Sequence, residues 1–383
     1  MDDHQESLFD TRDRASRSPS SASDAVALLG LSRVRGMAYG GLRSLYEQLP
    51  HVGLIAELPA EDVSRLFSLA HIRGAGDLAN EWSRDRDRYL SLGRTAYERL
   101  AHQGVQLIFD GDPQFPRDLI TIPNPVYWLF VEGNLDLLCA PSVAVVGTRR
   151  PSQTGIRAAQ QLSGYLADWG QVVVSGLAEG IDAAAHQVAV DYGAPTVAVL
   201  GTGISVIFPA VTAGLRQRIV DTGGAVITEY LPDDSYSRQR FVLRNRIQAG
   251  LATAVCPVEA GAKSGTAHTL DYAVKFRRKL FGVFAGQSDP SNEVIEVIRQ
   301  RGGRVFDMDD SHQLVELREF LHVRSPQLDS PEPTVSRDRL FDSLVREFTR
   351  LVSQYPVSDG DVQALLERLS DEWRSSHHGQ DRK

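Results

Sequence analysis

Four short turns of the sequence combine glycine with a hydroxyl side chain, a pairing suited to binding phosphate. Glycine lets the backbone approach a ligand closely, and amides at a helix start can donate hydrogen bonds to an anion. Two of the turns also carry a cation that can hold phosphate oxygens. The residues are Gly147, Thr148, Arg149 and Arg150; Ser175 and Gly176; Gly201 and Gly203; and Lys263, Ser264, Gly265 and Thr266. Each turn alone could be only a tight connection, but the four together predict phosphate binding.

Two familiar nucleotide-binding patterns are missing from these turns. The sequence has no G-x-x-x-x-G-K-[ST] loop, and the first turn, GTRRPSQTG, does not follow the dinucleotide pattern G-x-G-x-x-G. Both observations argue against nucleoside triphosphate hydrolysis and against NAD-dependent chemistry.

The turns follow short β-branched runs that alternate with helical segments. Runs such as SVAVV and PTVAV are apolar throughout, as in strands whose two faces are both covered. Segments between them, such as GIRAAQQLSGYLAD, repeat apolar residues three and four apart. Because such strands connect by right-handed crossovers, we predict an α/β fold with a doubly wound parallel sheet. The turns then lie at the carboxyl ends of strands, where ligands bind in these sheets.

The composition changes along the chain and predicts five segments. Residues 1–24 are polar and rich in serine, which is typical of a disordered tail. Residues 25–100 have helical spacing and form an N-terminal helical domain, followed by the sheet domain over 101–310. Residues 311–335 contain the proline- and serine-rich run of a linker, and 336–383 form a C-terminal helical segment.

The overall composition excludes several classes of protein. The 383 residues carry a formal net charge of −8, so a uniformly basic nucleic-acid coat is ruled out, although a local basic patch is not. No run reaches the roughly 18 apolar residues of a membrane helix, and the N-terminus lacks the apolar region of a secretory signal. The two cysteines, Cys139 and Cys256, lie in apolar sequence and are expected to be buried. We therefore expect a cytoplasmic protein.

Several of these motifs occur together in the order of a known family. The run VAVVGTRRPSQTG, then SGLAEGIDAAAH, LGTG, RNRIQAGL and SGT, resembles the DprA/Smf family, DNA-processing protein A. The resemblance extends from about residue 112 to about 310 and implies an extended Rossmann domain without a cofactor. It also implies a non-catalytic homodimer that binds single-stranded DNA and loads the recombinase RecA onto it during natural transformation.

The resemblance also implies which residues contact DNA. By position, the main contact falls on Gly147, Thr148 and Arg149. Three further segments are also expected to contact DNA. These are Ser175 and Gly176; Arg244, Asn245, Arg246 and Ile247; and Ser264, Gly265 and Thr266.

Four side chains have a structural interpretation as well as a functional one. Arg244 and Arg246 could each form an ion pair with Glu229 or Glu259 instead of binding DNA. Asp182 and His186, four apart on one predicted helix, are expected to cap and pack rather than to bind a metal. We therefore expect no metal site.

A different function remains possible on the same fold. LOG-type phosphoribohydrolases use a related sheet with a P-G-G-x-G-T-x-x-E turn, but Thr269 stands where that pattern needs its carboxylate. Glycosidic cleavage requires a positioned acid or base, for which Glu179 and Asp271 are the nearby candidates. A nucleotide sensor, or a defence or regulatory relative that keeps DNA binding without RecA loading, is a further alternative.

The N-terminal tail contains one candidate partner motif. Gln5, Leu8 and Phe9 resemble the QL-S-L-F pentapeptide by which bacterial proteins bind the sliding clamp, with Glu6 in place of the usual leucine. This pattern predicts a possible clamp contact in addition to RecA, DNA and a second copy of the chain.

Overall fold

A mixed nine-stranded sheet forms the centre of the protein. The computed structural model describes residues 19–261, 264–286 and 293–322. The strands are β1 (Val105–Phe109), β2 (Trp128–Gly133), β3 (Ser142–Val146), β4 (Val172–Ser175), β5 (Thr196–Val199), β6 (Ala225–Thr228), β7 (Ala254–Pro257), β8 (Lys279–Phe284) and β9 (Arg304–Asp307). Their order across the sheet is β1-β2-β6-β5-β4-β3-β7-β8-β9.

The direction of winding reverses next to β3. From β3 the chain moves outward through β4, β5 and β6, then returns to place β7, β8 and β9 on the other side. These seven strands pair in parallel, whereas β2 runs antiparallel to both β1 and β6. The predicted doubly wound, Rossmann-like α/β fold is confirmed, with an antiparallel extension at one edge.

Thirteen α-helices surround the sheet in the described part of the chain. They are α1 (Ala22–Leu31), α2 (Tyr39–Glu47), α3 (Ala60–Leu69), α4 (Ala75–Arg84), α5 (Arg86–His102), α6 (Asp118–Thr121), α7 (Gln153–Asp168), α8 (Ile181–Asp191), α9 (Ala213–Asp221), α10 (Arg238–Leu251), α11 (Gly265–Lys275), α12 (Glu293–Gln300) and α13 (Ser311–His322). Short 3-10 helices lie at Val52–Ala56, Leu135–Cys139 and Ala210–Thr212.

Alternate residues of the central strand face two different helical layers. Val143 and Val145 pack in a core with α7, α8 and α13, whereas Ala144 and Val146 pack in another with α10, α11 and α12. Successive side chains of a strand point to opposite faces, so a strand between two helical layers must be apolar at every position. This is the physical reason for the continuous apolar runs in the sequence.

The N-terminal helices share a core with one end of the sheet. Phe67 on α3 and Trp82 on α4 belong to the same hydrophobic cluster as Trp128 and Phe130 on β2. Trp128 also donates a hydrogen bond from Nε1 to the carbonyl oxygen of Glu229, at 2.8 Å. The helices of residues 22–102 thus pack directly beside the residues that follow β6.

The structure departs from the sequence expectations at several points. It adds β1, β2 and β9 to the six strands expected from the apolar runs, and α13 covers the first part of the segment expected to be a linker. Helix α1 begins inside the expected tail. Cys256 is buried as expected, but Cys139 is exposed because it ends a surface 3-10 helix.

The remaining expectations for the chain ends lie outside the described residues. These are the tail up to residue 18 with the clamp motif Gln5, Leu8 and Phe9, the linker from 323 and the helical segment 336–383. Among the helices that are described, none is both long and apolar enough to cross a membrane.

Candidate nucleic-acid interface

The reversal of winding opens a crevice between the carboxyl ends of β3 and β7. The turn after β3 is fastened there by a 2.8 Å hydrogen bond from the Thr148 amide to the carbonyl oxygen of Glu259. A side chain at Gly147 would meet Ile181 at 2.5 Å and the Glu259 carbonyl oxygen at 2.9 Å, so only glycine fits. Open α/β sheets bind their ligands at this topological position.

A cavity of about 420 Å³ occupies this crevice. It is bounded by the turn after β3, by one face of α10 and by the start of α11. It brings together eight of the residues that the sequence predicts for phosphate binding: Gly147, Thr148, Arg149, Arg244, Asn245, Ser264, Gly265 and Thr266. The turn after β3, the Arg244–Asn245 segment of α10 and the start of α11 thus meet, although they lie far apart in the sequence. Lys263 lies outside the described residues.

Three arginines line the cavity, namely Arg149, Arg238 and Arg244. The guanidinium carbon of Arg149 lies 5.7 Å from the centre of the Phe241 ring, and that of Arg244 lies 5.6 Å from it. Arg149 is exposed, whereas Arg244 is only 3% exposed. Burial lowers the pKa of Arg244 to about 10, and the nearby charge of Arg149 adds to this effect while Asp182 opposes it. Arg244 therefore remains charged near neutral pH.

Several buried polar groups of the cavity lining have no partner in the described part of the protein. These atoms are Nε and Nη1 of Arg244, Nε2 of Gln248 and Oγ of Ser264. Leaving a buried donor unsatisfied costs about 1–3 kcal/mol, so such groups are normally completed by water or by a ligand. Arginine and amide nitrogens donate and do not accept, so the fitting ligand offers acceptor oxygens.

The start of α11 adds a backbone contribution to the same wall. Ser264 is the N-cap residue, and its side chain makes no capping hydrogen bond to the helix. A helix N-terminus carries partial positive charge and free amides, which favour an anion. Asn245 ties this start to α10 by donating from Nδ2 to the carbonyl oxygen of Gly265 at 3.2 Å.

Four of the other predicted residues do not line the cavity. Ser175 hydrogen-bonds to the backbone, and the three glycines allow neighbouring groups to pack closely. Ser175 is buried and donates its hydroxyl proton to the carbonyl oxygen of Val145 at 2.6 Å. Gly176 leaves room for Arg244, because a side chain there would overlap the guanidinium group. Gly201 packs against the Phe241 ring, and Gly203 packs against the backbone that follows β6.

Two predicted arginines also lie away from the cavity lining. Arg150 is exposed at the surface. Arg246 is 1% exposed and forms a bidentate ion pair with Glu229, with both N–O distances at 2.5 Å. Although burial opposes its charge, Glu229 raises the pKa of Arg246. The structure therefore selects the ion-pair interpretation for Arg246.

Asp182 and His186 have packing and hydrogen-bonding roles. Asp182 accepts a 3.1 Å hydrogen bond from the Gly176 amide, and burial raises its pKa while Arg244 opposes the rise. His186 is fully buried beside the hydroxyl of Thr196, at 2.9 Å from Nδ1. Within the described ranges, no group of three or more His, Cys, Asp or Glu side chains is placed to hold a metal ion.

The carboxylates considered for an enzymatic reaction lie elsewhere or are engaged. Asp271 forms an ion pair with Arg301 at 2.6 Å, and Glu179 is exposed outside the cavity lining. Glu259 accepts hydrogen bonds from the amide of Ser152 at 3.0 Å and from its hydroxyl at 2.7 Å, which fixes the start of α7.

An aromatic group lies beside the cavity and was not identified from the sequence. Tyr236 and Phe241 line the cavity, and Phe208 lies against both. The centres of the Tyr236 and Phe208 rings are 4.7 Å apart, and Tyr236 is 46% exposed. These rings come from the segments that follow β5 and β6 rather than from the phosphate-type turns.

Comparisons with known proteins agree with the sequence motifs. Residues 106–315 match the family described as DNA recombination-mediator protein A. Protein Smf of Synechocystis is 40% identical over 190 residues, which cover 49% of this chain and 48% of that protein. The putative DNA processing protein DprA of Mycobacterium tuberculosis is 34% identical over 284 residues, 70% of this chain and 72% of that protein.

Two solved structures share the architecture. DNA processing protein A of Streptococcus pneumoniae superposes with a TM-score of 0.61 at 27% identity, covering 78% of this chain and 98% of that chain. The protein from Helicobacter pylori, whose structure concerns its single-stranded DNA binding mode, has a TM-score of 0.50 at 24% identity and is a likeness of fold.

The chain spans only part of the length of some of these relatives. The chain spans 48% of the length of the Synechocystis relative and 66% of that of a Streptococcus pneumoniae relative. Within this limit the family model and the relatives confirm the resemblance derived from the motifs. This chain belongs to the DprA/Smf family of DNA processing proteins.

Proposed function

We propose that the cavity at the end of β3 binds the sugar-phosphate backbone of single-stranded DNA. The observation that carries this proposal is the set of buried, unpartnered donors on Arg244 and Gln248 beside the exposed charge of Arg149. A phosphate group supplies several acceptor oxygens and a negative charge, and arginine can hold two of those oxygens at once.

A single strand suits this site better than a duplex does. The acceptors must enter a cavity beneath the surface, and a flexible strand can direct one phosphate inward while neighbouring bases lie against exposed rings. Tyr236 offers such a ring at the mouth of the cavity. Binding of this kind depends strongly on salt and weakly on base sequence.

The proposed role is binding rather than catalysis. Within the described lining of the cavity, Asp182 is the one carboxylate, and it holds the Gly176 amide next to a buried guanidinium group. A general acid or base for glycosidic cleavage has to reach the substrate instead. The nucleotide sensor and the LOG-like enzyme remain the competing functions, and release of a free base from a nucleotide would favour the enzyme.

Family membership supports a wider proposed role. We propose a homodimer that places two DNA sites side by side, which raises avidity, and that loads RecA onto the bound strand. We also keep the tail motif Gln5, Leu8 and Phe9 as a proposed contact with the sliding clamp. Deleting residues 1–18, which precede α1 and its N-cap, is then expected to remove clamp binding and to leave DNA affinity unchanged.

The experiment that tests the site measures the affinity of the full chain for labelled oligo-dT at two salt concentrations. Arg149→Ala is expected to weaken binding at least about tenfold, or about 1.4 kcal/mol, and to reduce the salt slope by about 0.7. Arg94→Ala is the matched control, because Arg94 is exposed and does not line the cavity. Unchanged affinity in both Arg149→Ala and Arg149→Glu, with the fold intact by circular dichroism, would show that the site is misplaced.

A further inference from the structure

A second cavity adjoins the first on the other side of Tyr236. Its volume is about 460 Å³, and Tyr236 belongs to the lining of both. It lies between α2 of the N-terminal region and the start of α10. The polar residues of its rim are Arg43, Asn124, Ser235, Ser237, Gln239 and Arg240.

The floor of this second cavity is a buried network that leaves little net charge. Glu229 accepts two hydrogen bonds from Arg246 and a third from the hydroxyl of Tyr39. Arg246 also donates from Nε to the carbonyl oxygen of Asn124 at 2.8 Å. Since the carboxylate is neutralised and fully hydrogen-bonded, it does not repel an anion above it.

Two arginines lie on the rim of the second cavity. Arg43 and Arg240 are 15% and 26% exposed and each meets one carboxylate, Glu47 at 3.5 Å and Asp234 at 3.1 Å. A guanidinium group has five N–H donors, so a single carboxylate leaves donors for a phosphate. Arg240 is further positioned over the ring of Tyr230, at 5.2 Å.

The N-terminal helices hold the wall of this cavity in place. Asp233, in the loop that carries Tyr236, forms ion pairs with Arg33 at 3.2 Å and with Arg99 at 3.5 Å. Residues before the sheet therefore fix the loop that separates the two cavities.

We propose that the second cavity binds the next part of the same DNA strand, so that the strand passes over Tyr236 from one cavity to the other. This rests on the proposed function of the first cavity. The exposed ring between two arginine-lined cavities offers a base-stacking position between two phosphate positions, an arrangement found in sequence-tolerant single-strand binding. The N-terminal helical region then takes part in DNA binding through Arg43.

The test changes charge at Gln239, which is exposed, lines only the second cavity and lies in the first turn of α10. The affinities of Gln239→Glu and Gln239→Lys are measured for oligo-dT of about 4 and about 16 nucleotides. With the longer oligonucleotide we expect about threefold weaker binding for Gln239→Glu and about threefold tighter binding for Gln239→Lys, through attraction or repulsion of phosphate. With the shorter one, held by the first cavity, we expect no change.

The controls separate this inference from the proposed function. Gln103→Glu and Gln103→Lys make the same charge changes at an exposed residue that lines neither cavity, and they should leave both affinities unchanged. A glutamate near a helix N-terminus stabilises the helix, so weaker binding by Gln239→Glu would not come from unfolding. If the Gln239 variants change nothing, or change both lengths equally, while Arg149→Ala still weakens binding, the second site is wrong and the first stands. If the unmodified chain binds neither length, the proposed function itself fails.

Discussion

Arg244 and Arg246 are both buried, but the regions around them differ in the hydrogen-bond partners that they offer to the guanidinium group. The two residues lie two apart on α10, and each is at most 3% exposed. Arg246 meets Glu229 with two hydrogen bonds of 2.5 Å, and the hydroxyl of Tyr39 donates to the same carboxylate. Arg244 approaches Asp182 and the Phe241 ring, but two of its nitrogens have no hydrogen-bond partner among the described residues.

The difference distinguishes an arginine that is paired within the protein from one whose donors are free for the proposed ligand. Residues two apart on a helix point in directions about 200° apart, so α10 directs one guanidinium group toward the N-terminal helices and the other into the crevice of the sheet. A buried ion pair whose donors are all hydrogen-bonded within the protein contributes to folding. A buried cation with unpartnered donors is available to a ligand. Burial alone would have placed both arginines in one class.

The largest expected effect comes from removing Arg246, the arginine that is paired within the protein. Arg246→Met keeps an apolar stem of similar length but leaves Glu229 buried without its cation. We expect the free energy of unfolding to fall by about 3–5 kcal/mol, measured by urea denaturation. Arg244→Met is the matched control, with a smaller expected loss of about 1–2 kcal/mol, because it removes two unpartnered donors together with the cation beside Asp182. The double change Glu229→Leu with Arg246→Met should recover much of the loss, and equal losses in the two single variants would contradict the distinction.

The second effect reverses this ranking for DNA. Arg244→Met is expected to weaken oligo-dT binding on the order of thirtyfold, about 2 kcal/mol, because charge-assisted hydrogen bonds to phosphate are lost. Arg244→Lys should recover part of the affinity, since it keeps the charge but not the two-pronged geometry. Fluorescence anisotropy at fixed salt measures both. An Arg244→Met variant that binds like the unmodified chain would mean that water, rather than phosphate, completes this arginine.

The sequence predicts the sheet well because burial on both faces leaves a pattern that needs no tertiary information. The runs that became β3 to β8 are apolar at successive positions, whereas β1 is half-exposed in its middle and resembles many loops. The site is predictable in outline for a related reason, since the turns after parallel strands must meet at one edge. Gly147 and Ser264 meet there, although more than a hundred residues separate them.

The finer composition of the site depends on contacts that spacing does not reveal. Nothing in RNRI distinguishes Arg244 from Arg246, because their partners Asp182 and Glu229 come from other parts of the chain. One missed signal was available: Phe241, Arg244 and Gln248 lie three and four apart and therefore share one helix face. Tyr236 gave no such signal, since a loop residue acquires its neighbours only when the strands and the N-terminal helices are assembled.

The smallest effect tests the charge of Arg244 through its neighbour His186. Thr196 donates its hydroxyl proton to the carbonyl oxygen of Val173 at 2.6 Å, so its oxygen accepts the Nδ1 proton of His186 and Nε2 carries none. Burial and then the charge of Arg244 lower the pKa of His186 to about 3. The unfolded chain protonates this histidine near its ordinary pKa of about 6.5, whereas the folded chain does not.

Stability is therefore present above about pH 6.5 and falls as the pH decreases toward the folded pKa, by about 1.4 kcal/mol per pH unit. His186→Asn, which can still donate to Thr196, should remove this part of the pH dependence. The comparison of urea unfolding at pH 7.5 and 5.5 for both proteins isolates the histidine from the carboxylates, which titrate in both. In an Arg244→Met background the pKa of His186 should rise. The stability difference between the proteins with and without His186 should then extend over a narrower range of pH. Identical pH profiles with and without His186 would mean that this histidine takes up a proton in the folded protein as readily as in the unfolded chain.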